Sequence, residues 1–307
     1  MSNRPTTPPI TMKTLFAILF ICAALAIVVR ADLAAWWAFD GSFSDISAGS
    51  NDGISTPDAP SFDAAVPAGI AGQSVKFATD TQAVTVVADP SLDAAVFTLC
   101  YFINQQNAVQ GNAGLERLTS RAGDTFETAI GDAHVLGEVE DGISKLSYYS
   151  PGTGWTNTGV LPPAAGWTHV AWRNTASNME LYIDGVLSFT GPAIPAPTGA
   201  MSIGARNNTG PVEGFEGLMA DVFLWDDSTN ELTPASITAI AASGLSAFLG
   251  DADNDGLPDF WEEQHTLDAN DNGEDQPPFS PVRSGPKAAS TPSRQKQIPS
   301  SQSKANS

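Results

Sequence analysis

Twelve residues near the carboxyl end of the chain place acidic side chains at the spacing that a calcium loop needs. From Asp251 to Glu262, carboxylates stand at positions 1, 3, 5, 9 and 12, and Gly256 stands at position 6. Calcium takes roughly six to eight hard oxygen ligands, and the glycine permits the sharp turn that points alternate residues inward. The predicted ligands are the side chains of Asp251, Asp253, Asp255, Asp259 and Glu262, with the carbonyl oxygen of Leu257.

Two features separate this loop from a helix–loop–helix calcium site. Pro258 has no backbone N–H and cannot bond to a paired loop, and no incoming helix is predicted before Asp251. A solvated acidic linker is the alternative interpretation, since most runs of like charge face solvent. The in-register spacing favours calcium as the bound cofactor.

A second kind of site is suggested by the tryptophans, because an aromatic ring can stack on the C–H face of a sugar. Most of them are expected in a protein core, where aromatic side chains contribute much of the buried area. Trp155 differs, because residues 150–157 are rich in Gly, Thr and Asn and indicate a loop. Binding residues favour loops on a rigid scaffold, so Trp155 is the predicted ligand-binding residue.

No residue pattern predicts catalysis. Glycoside hydrolysis needs two carboxylates flanking the scissile bond. Glu138 and Glu140 share one face of a predicted strand, but a solvent-facing strand gives the same pattern. His134, His169 and His265 lack metal-ligand spacing, and His169 is expected to be structural. The chain is therefore predicted not to be an enzyme.

Short β-type runs separated by Gly, Pro, Asn and Asp must position these residues, and they predict an all-β sandwich. The clearest is a hairpin at 179–189, where Asp184-Gly185 suits a turn with positive φ at both positions. One helix is predicted over 233–244, capped by Thr233 and ended by Gly244. The other predicted strands are 34–39, 74–77, 83–87, 97–104, 117–121, 126–130, 134–139, 145–149, 167–173, 201–205 and 217–225.

Charge and composition indicate an exported protein. Residues 1–31 have a basic start, an apolar run from Leu15 to Val29 and small residues before Asp32, which is typical of a cleaved signal peptide. That run is short for a membrane span, although an uncleaved anchor is the alternative. The formal net charge of −20 argues against nucleic-acid binding. Cys100 would remain as the one cysteine after cleavage and is expected to be buried.

The chain changes composition twice after the predicted sandwich. We expect a signal peptide at 1–31, a β-sandwich domain at 32–246, an acidic calcium-binding segment at 247–275 and a disordered tail at 276–307. The tail is rich in Pro and Ser, is basic, and has too little apolar surface to fold. The abrupt change after Asp275 also suggests truncation or a frameshift relative to a longer parent.

Three segments resemble the laminin-G-like family of concanavalin A-like lectin/glucanase jelly rolls. They are Ala35–Gly41 with Asn51–Gly53, Gly166–Ala171 with Leu181–Val186, and Ile203–Arg206 with Phe215–Val222. The acidic segment, with Asp268–Asp275 as an incomplete second unit, is similar to thrombospondin type 3-like calcium repeats. The resemblance implies a jelly-roll sandwich with a short C-terminal helix, but this architecture hosts many functions.

The function expected from these observations is a secreted or cell-surface module that recognises a glycan or an extracellular protein, with calcium held by the acidic loop. A structural adhesion or stalk module without a small ligand is the main alternative, and a glycan hydrolase of the same fold is a weaker one. Asp52, Asp184 and Asp221 are further candidates for a calcium site on the sandwich.

Overall fold

Two antiparallel sheets face each other across an apolar core in the computed structural model, which describes residues 32–106, 115–131, 145–161, 166–206 and 213–250. The eight-stranded sheet contains β1 (Leu33–Trp37), β3 (Ser61–Asp63), β4 (Ser74–Phe77), β6 (Phe97–Gln105), β11 (Thr168–Asn174), β12 (Asn178–Ile183), β13 (Val186–Pro192) and β15 (Gly217–Asp226) among the described residues. The seven-stranded sheet contains β2 (Gly53–Ser55), β5 (Val84–Val86), β7 (Leu115–Arg121), β8 (Glu127–Gly131), β9 (Lys145–Ser150), β10 (Gly154–Asn157) and β14 (Met201–Ile203) in the same ranges.

Several strands that are neighbours in a sheet lie far apart in the sequence. The eight-stranded sheet runs β13-β12-β11-β6-β15-β4-β3, with β1 also paired to β15, and the seven-stranded sheet runs β10-β9-β8-β7-β14-β5-β2. A short 3-10 helix, Pro90–Leu92, lies between β5 and β6. The all-β sandwich predicted from the sequence is confirmed.

A chain of buried hydrogen bonds crosses the core between the sheets. Trp172 of β11 donates its indole N–H to Tyr101 of β6 at 2.8 Å, and Tyr101 donates to Thr128 of β8 at 3.0 Å. Thr128 and Thr119 share a further bond of 2.7 Å. Burial raises the pKa of Tyr101, so its hydroxyl stays protonated and neutral. Each polar side chain in this series of hydrogen bonds thus has a partner, which avoids the cost of an unsatisfied donor in an apolar interior.

A second, smaller apolar cluster lies on the outer face of the eight-stranded sheet, beneath helix α1 (Pro234–Phe248). Thr233 caps the helix by accepting a hydrogen bond from the backbone N–H of Ser236, as predicted. Gly244 leaves the helical conformation at φ +79° and ψ 166°, after which helical structure resumes as far as Phe248. Gly244 therefore kinks the helix where the sequence predicted its end.

Strand β15 changes partner at Asp221. Before this residue Gly217–Met219 pair with β4, and after it Val222–Trp225 pair with β1. The same place carries a bulge relative to β6, and Asp221 has a φ of +51°. A bulge of this kind bends a strand and re-aims the side chain at that position.

The predicted hairpin is confirmed, with Asp184 at φ +48° and Gly185 at φ +78° between β12 and β13. Strands β2, β3 and β10 were missed, because they are short and rich in Gly, Ser and Asn, which sequence patterns associate with turns. The predicted strand at 134–139 lies outside the described residues. Cys100 is fully buried in β6, where burial raises the pKa of its thiol, so the expected structural role is confirmed.

Candidate functional site

Trp155 lies in a strand, not in the loop that its surroundings suggested. Residues Gly154–Asn157 form β10, the edge strand of the seven-stranded sheet, and Trp155 pairs directly with Tyr149 of β9. Gly152 and Gly154 have φ values of +87° and +75°, which a tight turn between the two strands requires. Backbone pairing therefore fixes the position of Trp155 more firmly than a loop would.

Side chains alternate between the two faces of a strand, so the neighbours of the core residues Val86, Ile203 and Tyr148 point away from the core. One row of paired residues crosses all seven strands of this sheet on that outer face. It spans about 29 Å, given the usual separation of strands. We call it the outer row, and its members are Ile54, Thr85, Ser202, Ser120, Glu127, Tyr149 and Trp155.

Trp155 is partly exposed and has aromatic and cationic neighbours. Its ring lies 5.5 Å from that of Tyr149, at an angle of 57°. The guanidinium carbon of Arg117 lies 4.6 Å from the centroid of the Trp155 ring, a cation–π distance. These contacts hold the indole in one orientation before any ligand arrives.

Arg117 belongs to a charged cluster, which we define as Arg117, Asp124, Glu127, Arg206 and Glu213. Its Nε lies 2.6 Å from Glu127 Oε2, and its Nη2 lies 3.0 Å from Glu213 Oε2. Arg206 Nη2 lies 3.0 Å from Asp124 Oδ2. The side chains of Arg117 and Glu127 are only 4% and 2% exposed, so their ion pair is shielded from water.

Burial changes the acid–base behaviour of this cluster. Desolvation raises the pKa of Glu127 to about 7, with Arg117 opposing the rise and the nearby Asp124 carboxylate adding to it. Desolvation also lowers the pKa of Arg117, and the neighbouring Glu127 and Glu213 carboxylates oppose that fall. Near neutral pH, Glu127 can therefore act as a hydrogen-bond donor or as an acceptor.

Several buried polar atoms of the charged cluster and of Ser202 have no hydrogen bond. Ten buried side-chain nitrogen and oxygen atoms of the described residues lack a hydrogen bond, and seven of them belong to the charged cluster and Ser202. Several of the seven still have an ion-pair contact, but Arg117 Nη1 and Ser202 Oγ have neither kind of partner in the described ranges. Unsatisfied buried polar groups are rare in native proteins and call for a structural or functional explanation.

Backbone strain coincides with the charged cluster as well. Asp124 and Glu213 have φ values of +53° and +54°, in the left-handed region that non-glycine residues seldom occupy. Such strain persists only where surrounding structure enforces it, and it is concentrated at ligand and active sites. Buried polar atoms without hydrogen bonds, backbone strain and a partly exposed aromatic ring thus meet on one face of one sheet.

The remaining sequence-predicted site residues divide into two groups. The calcium ligands Asp251, Asp253, Asp255, Leu257, Asp259 and Glu262, and the carboxylates Glu138 and Glu140, lie outside the described residues. The second group, the aspartates proposed for a sandwich calcium site, is described. The described ranges contain no group of three or more His, Cys, Asp or Glu residues placed to hold a metal ion.

Those three aspartates each have a structural partner and do not converge on one site. Asp52 accepts a bond from the backbone N–H of Asp45, and Asp184 accepts one from that of His169. Asp221 accepts from the indole of Trp36 and from the backbone N–H of Leu245. His169 is fully buried, and desolvation lowers its pKa to about 3, which fits the expected structural role.

The sequence predicted Trp155 as a binding residue, which stays a prediction, and it did not single out its structural neighbours Arg117 and Tyr149 or the buried Glu127 and Ser202. The available signal was the presence of charged residues inside predicted strands, at Arg117 and Glu127. Charged side chains are almost never buried in strands unless they are paired. Which strands lie side by side was not deducible, so the partners could not be assigned.

Comparison with known proteins supports the fold. The family model for the "Concanavalin A-like lectin/glucanases superfamily" (Laminin_G_3) matches residues 78–238, just over half of the 307 residues. No curated protein sequence matches the chain. The described part of the chain contains no helix with the length and apolar character of a membrane span.

Two solved structures are similar at low sequence identity. Domain 4 of AbnA, a GH43 extracellular arabinanase from Geobacillus stearothermophilus, in complex with arabinotriose, has a TM-score of 0.52 and 17% identity, covering 68% of this chain and 98% of that one. The binding domain of Paraclostridial Mosquitocidal Protein 1 has a TM-score of 0.51 and 9% identity, covering 73% of this chain and 55% of that one.

Proposed function

The chain belongs to the concanavalin A-like lectin/glucanase superfamily, and from that membership we propose that it is a glycan-binding module whose ligand lies along the outer row. Fold alone does not assign a ligand, so the proposal depends on the site. The observation that carries it is the position of Trp155, partly exposed and braced by Tyr149 and Arg117, beside buried polar atoms that lack partners.

A sugar ring has one face of C–H groups and a rim of hydroxyls, and the outer row offers a counterpart to each. Trp155 presents an aromatic surface that can stack on the ring face. Ser202 Oγ and Arg117 Nη1 have unused hydrogen-bonding capacity but are buried in the unliganded chain, so they can bond to the hydroxyls only when the groups that cover them move. Recognition sites commonly combine aromatic surface with a few placed polar groups.

Export and calcium binding are further parts of the proposal, supported by sequence alone. We propose that residues 1–31 direct export and that Asp251–Glu262 bind calcium with an affinity on the order of 10⁻⁴–10⁻³ M, the range of extracellular modules. Titration calorimetry with CaCl₂ should show heat of binding in the wild type and not in Asp253→Asn combined with Glu262→Gln. Equal heats from both proteins would reject calcium at this loop.

Glycan binding is tested first on an array, with calcium and again with chelator, and the strongest hit is then titrated by calorimetry. Trp155→Ala should weaken the binding of that glycan at least tenfold, because the stacking surface is lost. Leu187→Ala is the matched control, since Leu187 is an exposed apolar residue of β13 on the other sheet. The Leu187→Ala protein should bind as the wild type does.

Three outcomes would count against the proposal. A blank array in both conditions would favour the structural adhesion module, and unchanged affinity in Trp155→Ala would move the site away from the outer row. Release of reducing sugar from any bound glycan would favour a hydrolase instead, and we propose that none is released.

A further inference from the structure

A cleft of about 460 Å³ lies on the opposite side of the molecule from the outer row. It opens where helix α1 passes the end of β1, and two segments, 38–46 and 69–71, complete its walls. Trp36 lines it and also packs against the apolar cluster beneath α1, on the outer face of the eight-stranded sheet. The other sheet and the whole core separate this cleft from Trp155.

Three of the residues that line the cleft have unusual backbone conformations. Phe39 and Asp221 have φ values of +59° and +51°, and Gly244 combines φ +79° with ψ 166°. A bulky residue such as phenylalanine rarely has positive φ, and the Gly244 conformation is almost exclusive to glycine. At the two residues that are not glycine, Phe39 and Asp221, such a conformation is strained, and strain of this kind clusters at ligand sites.

Close backbone packing gives the cleft a fixed shape. A Cβ on Gly69 would lie 3.2 Å from the Cα of Ser243, and a Cβ on Gly244 would lie 2.8 Å from Ile70 Cγ1. The loop that carries Gly69 and Ile70 therefore sits directly against the kink in α1. Binding sites for small ligands are usually concave and formed in advance in this way.

The indole of Trp36 is also held in place. Its Nε1 donates to Asp221 Oδ1 at 2.6 Å, and Asp221 Oδ2 accepts from the backbone N–H of Leu245 at 2.8 Å. One carboxylate thus ties the aromatic wall of the cleft to the segment just after the helix kink. An aromatic surface that is already immobilised loses little entropy when it stacks on a ligand.

The lining chemistry selects a neutral ligand rich in hydroxyl groups. Among the described residues that line the cleft none is basic, and Asp40 and Asp221 give it negative charge, so an anionic ligand is disfavoured. Ser42, Ser44 and Ser246 are exposed at its rim and can exchange hydrogen bonds with hydroxyls. Trp36, Ile46 and Ile70 supply the apolar surface.

We propose that this cleft is a second binding site, for one to a few neutral sugar units, independent of the outer row. A volume of about 460 Å³ falls within the usual range for small-ligand sites, roughly 300–1,000 Å³. Two sites on opposite faces would let one molecule hold two glycan chains, which raises avidity without any new contact.

The test follows the indole N–H resonances of ¹⁵N-labelled full-length protein while arabinotriose, cellotriose or xylotriose is added to millimolar concentration. Trp36→Phe and Trp155→Phe assign the two resonances by their disappearance. We expect at least one trisaccharide to shift the Trp36 resonance in a saturable way, and to shift it equally in Trp155→Ala. A Trp36 resonance that stays still with all three sugars overturns the proposal.

A blocking variant separates the cleft from the outer row. Ser246→Phe places a large side chain at the rim from an exposed helical position whose side chain makes no hydrogen bond among the described residues. It should weaken the Trp36 response at least tenfold and leave any Trp155 response unchanged, and the spectrum itself reports whether the variant is folded. If the Trp36 response persists unaltered in this folded variant, the sugar does not occupy the cleft.

Discussion

Trp36 and Asp221 are joined by a hydrogen bond of 2.6 Å across 185 residues of sequence. The bond connects the first strand of the sandwich to the bulge of β15, and the other oxygen of Asp221 receives the backbone N–H of Leu245 from beyond the helix kink. Desolvation raises the pKa of Asp221, and both of these bonds oppose the rise. A single carboxylate therefore fastens three parts of the chain together.

Asp221→Asn should lower the free energy of unfolding by about 1–3 kcal/mol, because an amide offers one acceptor oxygen where two donors need one each. Chemical denaturation monitored by tryptophan fluorescence measures the change. Asp80→Asn is the control, since Asp80 is exposed and its side chain makes no hydrogen bond in the described ranges. Equal free energies of unfolding of the two variants would show that the hydrogen bonds of Asp221 do not stabilise the fold.

Ser202→Ala should affect stability and binding in opposite directions. In the unliganded protein Ser202 Oγ is buried without a partner, so its removal should raise the free energy of unfolding by about 1 kcal/mol. If a glycan hydroxyl forms a hydrogen bond with Ser202 Oγ, the Ser202→Ala variant should bind the array hit about fivefold more weakly, which corresponds to the loss of one ordinary hydrogen bond.

Thermal denaturation and calorimetry on the same samples give both numbers for Ser202→Ala. Ser61→Ala, at an exposed position of β3 on the other sheet, should change neither quantity. A loss of stability together with unchanged affinity would mean that Ser202 has a hidden structural partner and no contact with ligand.

Glu127→Gln should reduce the dependence of stability on pH just above neutrality. The pKa of Glu127 is about 7 in the folded chain and 4.5 as an ordinary value, so folding favours its protonated form. That contribution is fully present below about pH 4.5 and is lost as pH rises through 7. From pH 6.5 to about pH 8, the wild type should lose about 1 kcal/mol through Glu127, whereas Glu127→Gln should not.

Comparing the two proteins separates Glu127 from the other buried groups. Desolvation raises the pKa of Asp227 to about 6, and His169 in the unfolded chain has an ordinary pKa of 6.5, so both overlap the window, but both remain in Glu127→Gln and cancel in the comparison. Asp124, Glu213, Arg117 and Arg206 contact or face Glu127 and remain in both proteins. Denaturant titrations at several pH values give the free energy of unfolding of the wild type and of Glu127→Gln. If Glu127 is not the titrating group, plots of this free energy against pH should be parallel for the two proteins.

His169→Phe should stabilise the protein, most strongly in acid. Both ring nitrogens of His169 are buried without a hydrogen bond, and the ring lies 4.8 Å from that of Phe102. The pKa of His169 falls to about 3, so its neutral form favours folding above pH 6.5 and this contribution is lost as pH falls. By about pH 4 the variant should be more stable than the wild type by about 3 kcal/mol.

The same pH series distinguishes this explanation from simple packing. His169→Leu is apolar and smaller than phenylalanine, so it should show the same loss of acid sensitivity with a different stability at neutral pH. If both variants keep the acid sensitivity of the wild type, His169 is not the group that protonates on unfolding.

Local sequence signals predicted much of the fold, because a turn or a cap depends on residues that are close in the chain. The Asp184-Gly185 pair predicted the hairpin, and Thr233 predicted the start of the helix. Trp155 stays a predicted binding residue, but its strand was not predicted, because the four residues Gly154–Asn157 are too few to show a periodicity. The outer row is set by the order of seven strands, and nothing local at Thr85 or Ser202 reveals that these residues are neighbours.

The sharing of β15 between β4 and β1 has a consequence for how the chain acquires its structure. During synthesis β1 emerges early, yet its partner in the sheet is β15, the last of the described strands, so its hydrogen-bonding edge stays open until almost all of the described sandwich is made. Pairings between such distant segments form slowly and leave strand edges open to association with other chains. Folding of this domain should therefore finish only after β15 is released, with closure by β1 among its last steps.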